Sequence, residues 1–242
     1  MSLYVYCLGD DLPESAFEGL AGVGGARARV LAVGGFAAVV SEVSEDGAPV
    51  NEENLLAHNR VNAAALAVST PLPCRFGTRA APEHLAEYVE GRATALAAAL
   101  ARVRGRVEMS VKLMEKPGVG SQESEVRSRK AEVESAAGAG TAFLLKKRRE
   151  LLGEEGARRR AEEAAAWLAS GVGDLARETA ERLSPPEAIF VRAAHLVERE
   201  RVAEYRARLR ALAAGRVGLR LLTSGPWPPY SFSEISGQSQ LR

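Results

Sequence analysis

Apolar and polar positions along the chain recur in patterns that predict both strands and helices. LYVYCL, from Leu3 to Leu8, is rich in β-branched and aromatic residues, and ARVLAV and FAAVVSEV flank Gly34-Gly35. This composition predicts one strand followed by a β-hairpin. NEENLLAHNRVNAAALAVST begins with Asn51 as an N-cap candidate, has two acidic residues in its first turn, and ends before Pro71. These features predict a helix.

The next region continues the mixture of elements. PLPCRFGT is predicted to be a short extended piece that ends at Gly77, and from Pro82 to Gly105 apolar residues recur at three-to-four spacing, which predicts a helix. RVEMSVKLMEK then alternates apolar with polar residues, the period of a half-buried strand. We place a domain boundary near Arg104.

The second half begins with a stretch of weak pattern. Residues 117–139 carry glycine, serine and mixed charge without a steady apolar stripe, and are predicted to form a linker or a loosely packed helix. From Thr141 to Leu183 the apolar spacing predicts several helices, with breaks at glycines. The candidate break points are Gly153, Gly156 and Gly171 to Gly173.

The remaining elements define the fold class. AIFVRAAHLV is predicted to be a strand, RERVAEYRARLRALAAG a helix that stops at Gly215, and RVGLRLLT a strand. The prediction is therefore α+β, with an N-terminal α+β domain at 1–104 and a ferredoxin-like α+β domain at 105–224. A helical extension occupies about 117–183 of the second domain, and a tail at 225–242 packs on the domains.

Composition narrows the function. The 242 residues include 32 basic and 31 acidic ones, a formal net charge of +1, so no global field favours nucleic acid or an acidic membrane as a partner. No window approaches the roughly 18 to 20 apolar residues of a membrane-spanning helix. Cys7 and Cys74 lie in apolar runs, and the N-terminus lacks a signal-peptide pattern. We therefore expect a cytoplasmic protein with two free thiols.

Catalytic and metal-binding patterns are weak in this sequence. His58, His84 and His195 lack ligand-like spacing, so metal sites and cofactors are not predicted, and each histidine is interpreted as structural. GVGG and GVG lack the lysine of a phosphate loop and are predicted to be turns. We expect no enzyme activity. The alternative is a small-molecule-binding regulatory module or an enzyme of unrecognised type. A deep pocket lined by His58, Arg60 and Arg75 would favour the enzyme.

The segment GPWPPYSF, from Gly225 to Phe232, concentrates proline and aromatic residues near the C-terminus. Its prolines favour polyproline II, whose three-residue turn would put Trp227 and Tyr230 on one side. We favour an intramolecular clamp across a groove of this chain. The alternative is an adhesive surface for another protein, using the spacing of Pro226 and Pro229.

The chain resembles the gas vesicle F/L family, GvpF/GvpL. The resemblance rests on YVYCL, AHNRVNAAA followed by PLPCRFGT, EMSVKL, GTAFLLKKR and TSGPWPPYSF, which occur in family order over nearly the whole chain. It implies two α+β domains and a non-enzymatic accessory or minor structural protein of gas vesicle assembly, located in the cytoplasm and the gas vesicle. The expected partners are the hydrophobic shell protein GvpA, whose aggregation it would limit during nucleation, and other gas vesicle accessory proteins.

The resemblance also marks an interdomain clamp or interface. It assigns to this role the residues of three motifs: His58, Asn59, Arg60, Arg75, Phe76, Gly77, Gly225, Pro226, Trp227, Pro228, Pro229, Tyr230 and Phe232.

Overall fold

The computed structural model describes residues 2–44, 47–116, 139–185 and 187–233, with side chains from residue 153 onward in the helix that begins at 139. The chain divides into two compact units. The first comprises 1–109, 196–199 and 225–242, and the second comprises 110–195 and 200–224. The linker predicted at 117–139 lies outside the described residues except for Ala139.

The first unit is built on a five-stranded sheet with β1 (Ser2–Gly9) near its centre. β2 (Arg29–Val33) and β3 (Phe36–Val43) form the predicted hairpin, and β1 pairs antiparallel with β3. β4 (Leu72–Pro73) and β5 (Arg79–Ala80) both pair antiparallel with β1. β1 is buried almost throughout, as its apolar composition predicts for a central strand.

The described residues of the first unit form three α-helices. α1 (Glu52–Val68) begins where predicted, because the Asn51 side chain accepts a hydrogen bond from the Asn54 backbone N–H and caps the first turn. α2 (Pro82–Glu90) and α3 (Ala93–Val103) replace the single helix that the spacing predicts over this region. The chain leaves helical geometry at Arg92, which has φ −128° and ψ 13°, next to Gly91.

A four-stranded sheet contains the remaining strands, in the order β7-β8-β6-β9. These are β6 (Arg106–Glu115), β7 (Ala176–Leu183), β8 (Ile189–Glu198) and β9 (Leu219–Trp227). With α4 (Ala139–Val172) after β6 and α5 (Val202–Ala214) after β8, the chain order is β-α-β-β-α-β. This is the ferredoxin-like pattern, and the predicted α+β class is confirmed.

Side chains on α4, α5 and β8 form the apolar interior of the second unit. Leu168 and Val172 of α4 are buried, as are Tyr205 and Leu209 of α5. His195 of β8 is 1% exposed, and its Nδ1 is hydrogen-bonded to the Tyr205 hydroxyl. Burial lowers the pKa of His195 to about 4, so this imidazole is neutral in the folded protein at neutral pH.

Two helix predictions for the second half are wrong. Gly153 and Gly156 lie inside α4, which continues through them and ends at Val172, within the third candidate break at Gly171 to Gly173. Glycine costs a helix only about 1 kcal/mol relative to alanine, and the neighbouring alanine, arginine and glutamate residues favour helix. The stretch 176–183 is strand β7 rather than helix. β7 lies at one end of the sheet order, where a strand needs no continuous apolar run, so ARETAERL carries little strand signal.

Candidate functional site

The C-terminal segment after β9 packs within the first unit. A 3₁₀ turn at Tyr230–Phe232 follows the buried Pro228 and Pro229, and Phe232 is only 4% exposed. The Arg102 guanidinium of α3 donates to the Phe232 carbonyl, and the Ser233 hydroxyl lies 3.4 Å from the Pro73 carbonyl. The segment is therefore held by both apolar burial and hydrogen bonds.

His58 of α1 lies at the centre of a buried hydrogen-bond network. Its Nδ1 is 3.0 Å from the Tyr4 hydroxyl, and its Nε2 is 3.1 Å from the Tyr230 hydroxyl and 3.1 Å from Asn62 Nδ2. The Tyr4 oxygen also accepts a hydrogen bond from the Gly77 N–H at 2.9 Å. One imidazole thus links β1, α1, the turn after β4 and the C-terminal segment.

The electrostatics of this cluster favour neutral groups. Burial lowers the pKa of His58 to about 4, with the Cys74 carbonyl opposing the shift, and burial raises the pKa of Tyr4 and of Tyr230. The rings of Phe76 and Tyr4 meet the His58 ring edge-on, at centroid distances of 5.7 and 5.8 Å. A neutral histidine between two neutral phenols holds the segment without a buried charge.

A second contact holds the same segment through Glu108 of β6. The Glu108 carboxylate accepts the Ser231 backbone N–H at 2.7 Å and the Ser231 hydroxyl at 3.0 Å. Burial raises the pKa of this carboxyl, and the two Ser231 bonds oppose that shift because they favour the ionised form. The carboxylate thus accepts a hydrogen bond from the Ser231 N–H, which lies at the start of the 3₁₀ turn and has no carbonyl of a preceding turn as its partner.

Gly225 lies inside strand β9, close to β6. Its φ is +120°, a value that residues with a Cβ rarely adopt. A Cβ placed here would lie 2.8 Å from the Glu108 carbonyl oxygen and 3.0 Å from Met109 Sδ. Glycine is therefore required by both the backbone conformation and the close approach to β6.

The structure brings some of the motif residues together and separates others. His58, Phe76, Gly77 and Tyr230 share the network described above. Asn59, Arg60 and Arg75 are exposed, whereas His58 is 3% exposed and directed inward. Of the three residues of the alternative pocket, His58 thus lies in the interior, and Arg60 and Arg75 lie on the surface.

The tail also departs from the predicted polyproline II arm. Strand β9 continues to Trp227, so Gly225, Pro226 and Trp227 are strand residues at one end of the sheet order. Pro226 is exposed, and Trp227 is 44% exposed. Tyr230 contacts His58 and Phe232 is the buried ring, so Trp227 and Tyr230 do not share one buried side.

Sequence reasoning missed Tyr4, Asn62, Arg102, Glu108 and Ser231. A signal for Asn62 was available, because it follows His58 by four positions and so lies on the same helix face. Glu108 gave no signal, since a glutamate between apolar strand neighbours is typical of a solvent-facing position. Only the fold shows that β6 turns this carboxylate toward Ser231.

The cluster has the chemistry of a structural network. Within the described part of the chain, no group of three or more His, Cys, Asp or Glu side chains could hold a metal ion. Over the same residues, every helix is too short or too polar to cross a membrane.

The fold and this network define an α+β protein with a ferredoxin-like half, whose C-terminal segment is fastened to its N-terminal sheet and helices. The family model of the gas vesicle synthesis proteins GvpL/GvpF matches residues 2–234. The chain belongs to this family, and so is an accessory or structural protein of gas vesicles.

Individual relatives agree with this assignment. The chain is 29% identical to gas vesicle protein L of Streptomyces sp. (strain CB03234), over 96% of this chain and 93% of that protein. It is 30% identical to gas vesicle protein F of the same strain, over 97% and 100%.

Solved structures share the fold. The crystal structure of GvpF from Anabaena sp. PCC7120 superposes with a TM-score of 0.80 at 22% identity, over 97% of this chain and 99% of that one. GvpF from Microcystis aeruginosa superposes with a TM-score of 0.76 at 19% identity, over the same shares of the two chains.

Proposed function

We propose that this protein is a non-enzymatic assembly factor that binds the gas vesicle shell protein GvpA and limits its aggregation during nucleation. Membership of the gas vesicle family is the observation that carries the proposal. The physical reason is that apolar shell subunits associate indiscriminately in water, and a protein that covers their apolar surface until assembly suppresses this.

The second unit offers a surface suited to such a partner. β9 lies at one end of the order β7-β8-β6-β9, and a strand at a sheet edge can pair with an added strand. Leu222 on this strand is 38% exposed, and Val217 just before it is 88% exposed. An added apolar strand would gain both main-chain hydrogen bonds and burial against these side chains.

The docked C-terminal segment is proposed to act as a clamp that is structural rather than adhesive. Its hydrogen-bonding groups already contact His58, Glu108 and Arg102. A partner that used the same groups would first have to break these contacts.

The test is light scattering of purified GvpA diluted from denaturant, with and without this protein. We expect scattering to fall at about equimolar ratio, because a shield acts stoichiometrically and a catalyst acts far below it. The effect should persist at high salt, since apolar burial is not screened as charge attraction is beyond roughly 10 Å at 0.1 M salt.

A matched pair of variants locates the surface. Leu222→Lys should weaken protection, because it places a charge where an apolar strand would pack. Val50→Lys, at an exposed apolar residue of the first unit, should leave protection unchanged. Unchanged scattering at equimolar wild-type protein in both salts would refute shielding, and equal protection by both variants would refute docking at β9.

A further inference from the structure

The outward face of α1 carries exposed apolar residues without a covering element among the described residues. Leu56 is 53% exposed, Leu55 40% and the preceding Val50 78%. The inward face is fully used, since Ala57, Val61 and Ala65 are buried in the core of the first unit. The outward leucines therefore contribute nothing to that core.

Charges on this face are arranged on either side of Leu56. Glu52, Leu56, Arg60 and Ala63 follow one another at spacings of four, four and three, so they lie along one side of the helix, and all four are exposed. The acidic residue lies one turn before Leu56, and the basic residue lies one turn after it.

This arrangement is complementary to itself in one orientation. We propose that α1 pairs antiparallel with α1 of a second copy of this chain, with the two Leu56 side chains meeting at the two-fold axis. Glu52 then lies opposite Arg60 of the second copy, and Arg60 lies opposite its Glu52.

Alternative pairings lack this complementarity. A parallel pair would place Glu52 on Glu52 and Arg60 on Arg60, and like charges across an interface are unfavourable. An antiparallel pair shifted by one turn would separate both ion pairs. Only one register of the two-fold symmetric pair therefore forms both ion pairs, and both copies use the same surface, as in any isologous interface.

The contact is small, so the dimer is weak. A pair of single helices of this length buries less than the roughly 1,200 Å² of a standard stable interface. We expect a dissociation constant of about 10 to 100 µM, tightened by low salt, which strengthens the two rim ion pairs. This surface is on α1, so the inference is independent of docking at β9.

Sedimentation equilibrium of the full chain over about 10 to 500 µM tests the association. Wild-type protein should show reversible dimer formation, and Leu56→Glu should abolish it. Val217→Glu is the control, since it introduces the same charge at an exposed apolar residue away from α1. Melting curves check that both variants remain folded.

Charge reversal tests the register. Glu52→Arg and Arg60→Glu, each alone, place like charges opposite one another and should weaken dimerisation at least tenfold. An equimolar mixture of the two variants restores both ion pairs in the heterodimer, so association should return toward the wild-type level.

A wild-type chain that remains monomeric at 500 µM would overturn the proposal. A dimer that survives Leu56→Glu would also overturn it, and so would a mixture of the two charge variants that associates no better than either alone.

Discussion

At the scale of single residues, Phe232 and Trp227 differ in what they contribute to stability. Phe232 is 4% exposed and Trp227 is 44% exposed. We predict that Phe232→Ala lowers the free energy of unfolding by about 3 to 5 kcal/mol, whereas Trp227→Ala lowers it by about 1 kcal/mol or less. Urea unfolding of both variants measures this, and a larger loss for Trp227→Ala would contradict the described burial.

Gly22 is a second residue whose side chain is limited by its surroundings. A Cβ here would lie 2.1 Å from the Tyr6 hydroxyl. That hydroxyl is fixed in the interior, because it is 2.8 Å from the Ser41 hydroxyl and accepts the Val23 N–H at 2.7 Å. We therefore predict that Gly22→Ala destabilises the protein by about 1 to 3 kcal/mol, measured by urea unfolding.

Gly19→Ala is the comparison for this change, although the backbone conformation at Gly19 must also be considered. Nothing lies within 4 Å of a Cβ at Gly19, but its φ is +70°, so that variant reports backbone strain without crowding. If Tyr6→Phe, which shortens the side chain, did not reduce the cost of Gly22→Ala, crowding by the hydroxyl would be the wrong explanation.

At the scale of elements, the bond between β6 and the C-terminal 3₁₀ turn can be isolated. Glu108 accepts two hydrogen bonds from Ser231. We predict a coupling of about 1 kcal/mol between Glu108→Gln and Ser231→Ala in a double-mutant cycle, because the charge-assisted hydroxyl bond is absent from every variant. Additive effects of the two changes would mean that the charge of Glu108 does not strengthen its bond with the Ser231 hydroxyl.

Elements with a strong local pattern were predictable from the sequence. The Asn51 cap, the hairpin around Gly34-Gly35 and the alternation in β6 each depend on residues close together in the chain. β7 was not, because ARETAERL has the composition of an exposed helix and becomes a strand only through its neighbour in the sheet.

The candidate site was predictable only in its parts. The motif around His58 and the GPWPPYSF segment stand out in the sequence, but the bond that joins them spans 172 positions. The spacing of residues cannot predict such a contact. For the same reason, the sequence did not show that Tyr230 and Phe232 make the buried contacts, rather than Trp227, the largest side chain of the segment.

At the scale of the whole molecule, the two buried histidines predict a common response to acid. His58 belongs to the first unit and His195 to the second, and burial lowers the pKa of each to about 4 from an ordinary value of 6.5. Their contribution to stability is complete above pH 6.5 and declines as the pH falls toward 4, because the unfolded chain then binds more protons.

We predict a loss of about 2 kcal/mol per histidine between pH 7 and pH 5. Glu108 acts in the opposite sense, since its raised pKa makes its contribution greatest at low pH. The unfolding midpoint should depend less on pH across this range in His58→Gln and in His195→Gln than in the wild type. His84→Gln should keep the wild-type dependence, because the His84 side chain is exposed. A wild-type profile that is flat from pH 7 to pH 5 would contradict the prediction.

The composition of the first unit has a consequence for synthesis on the ribosome. This unit draws on three separate stretches of chain, and the stretch that contains Tyr230 and Phe232 is translated after the other two. Tyr230 and Phe232 therefore reach their places only after the sheet and helices that they pack against have been made. Until then, His58 and Arg102 lack the contacts that Tyr230 and Phe232 provide. A chain that stops before Tyr230 cannot form these contacts.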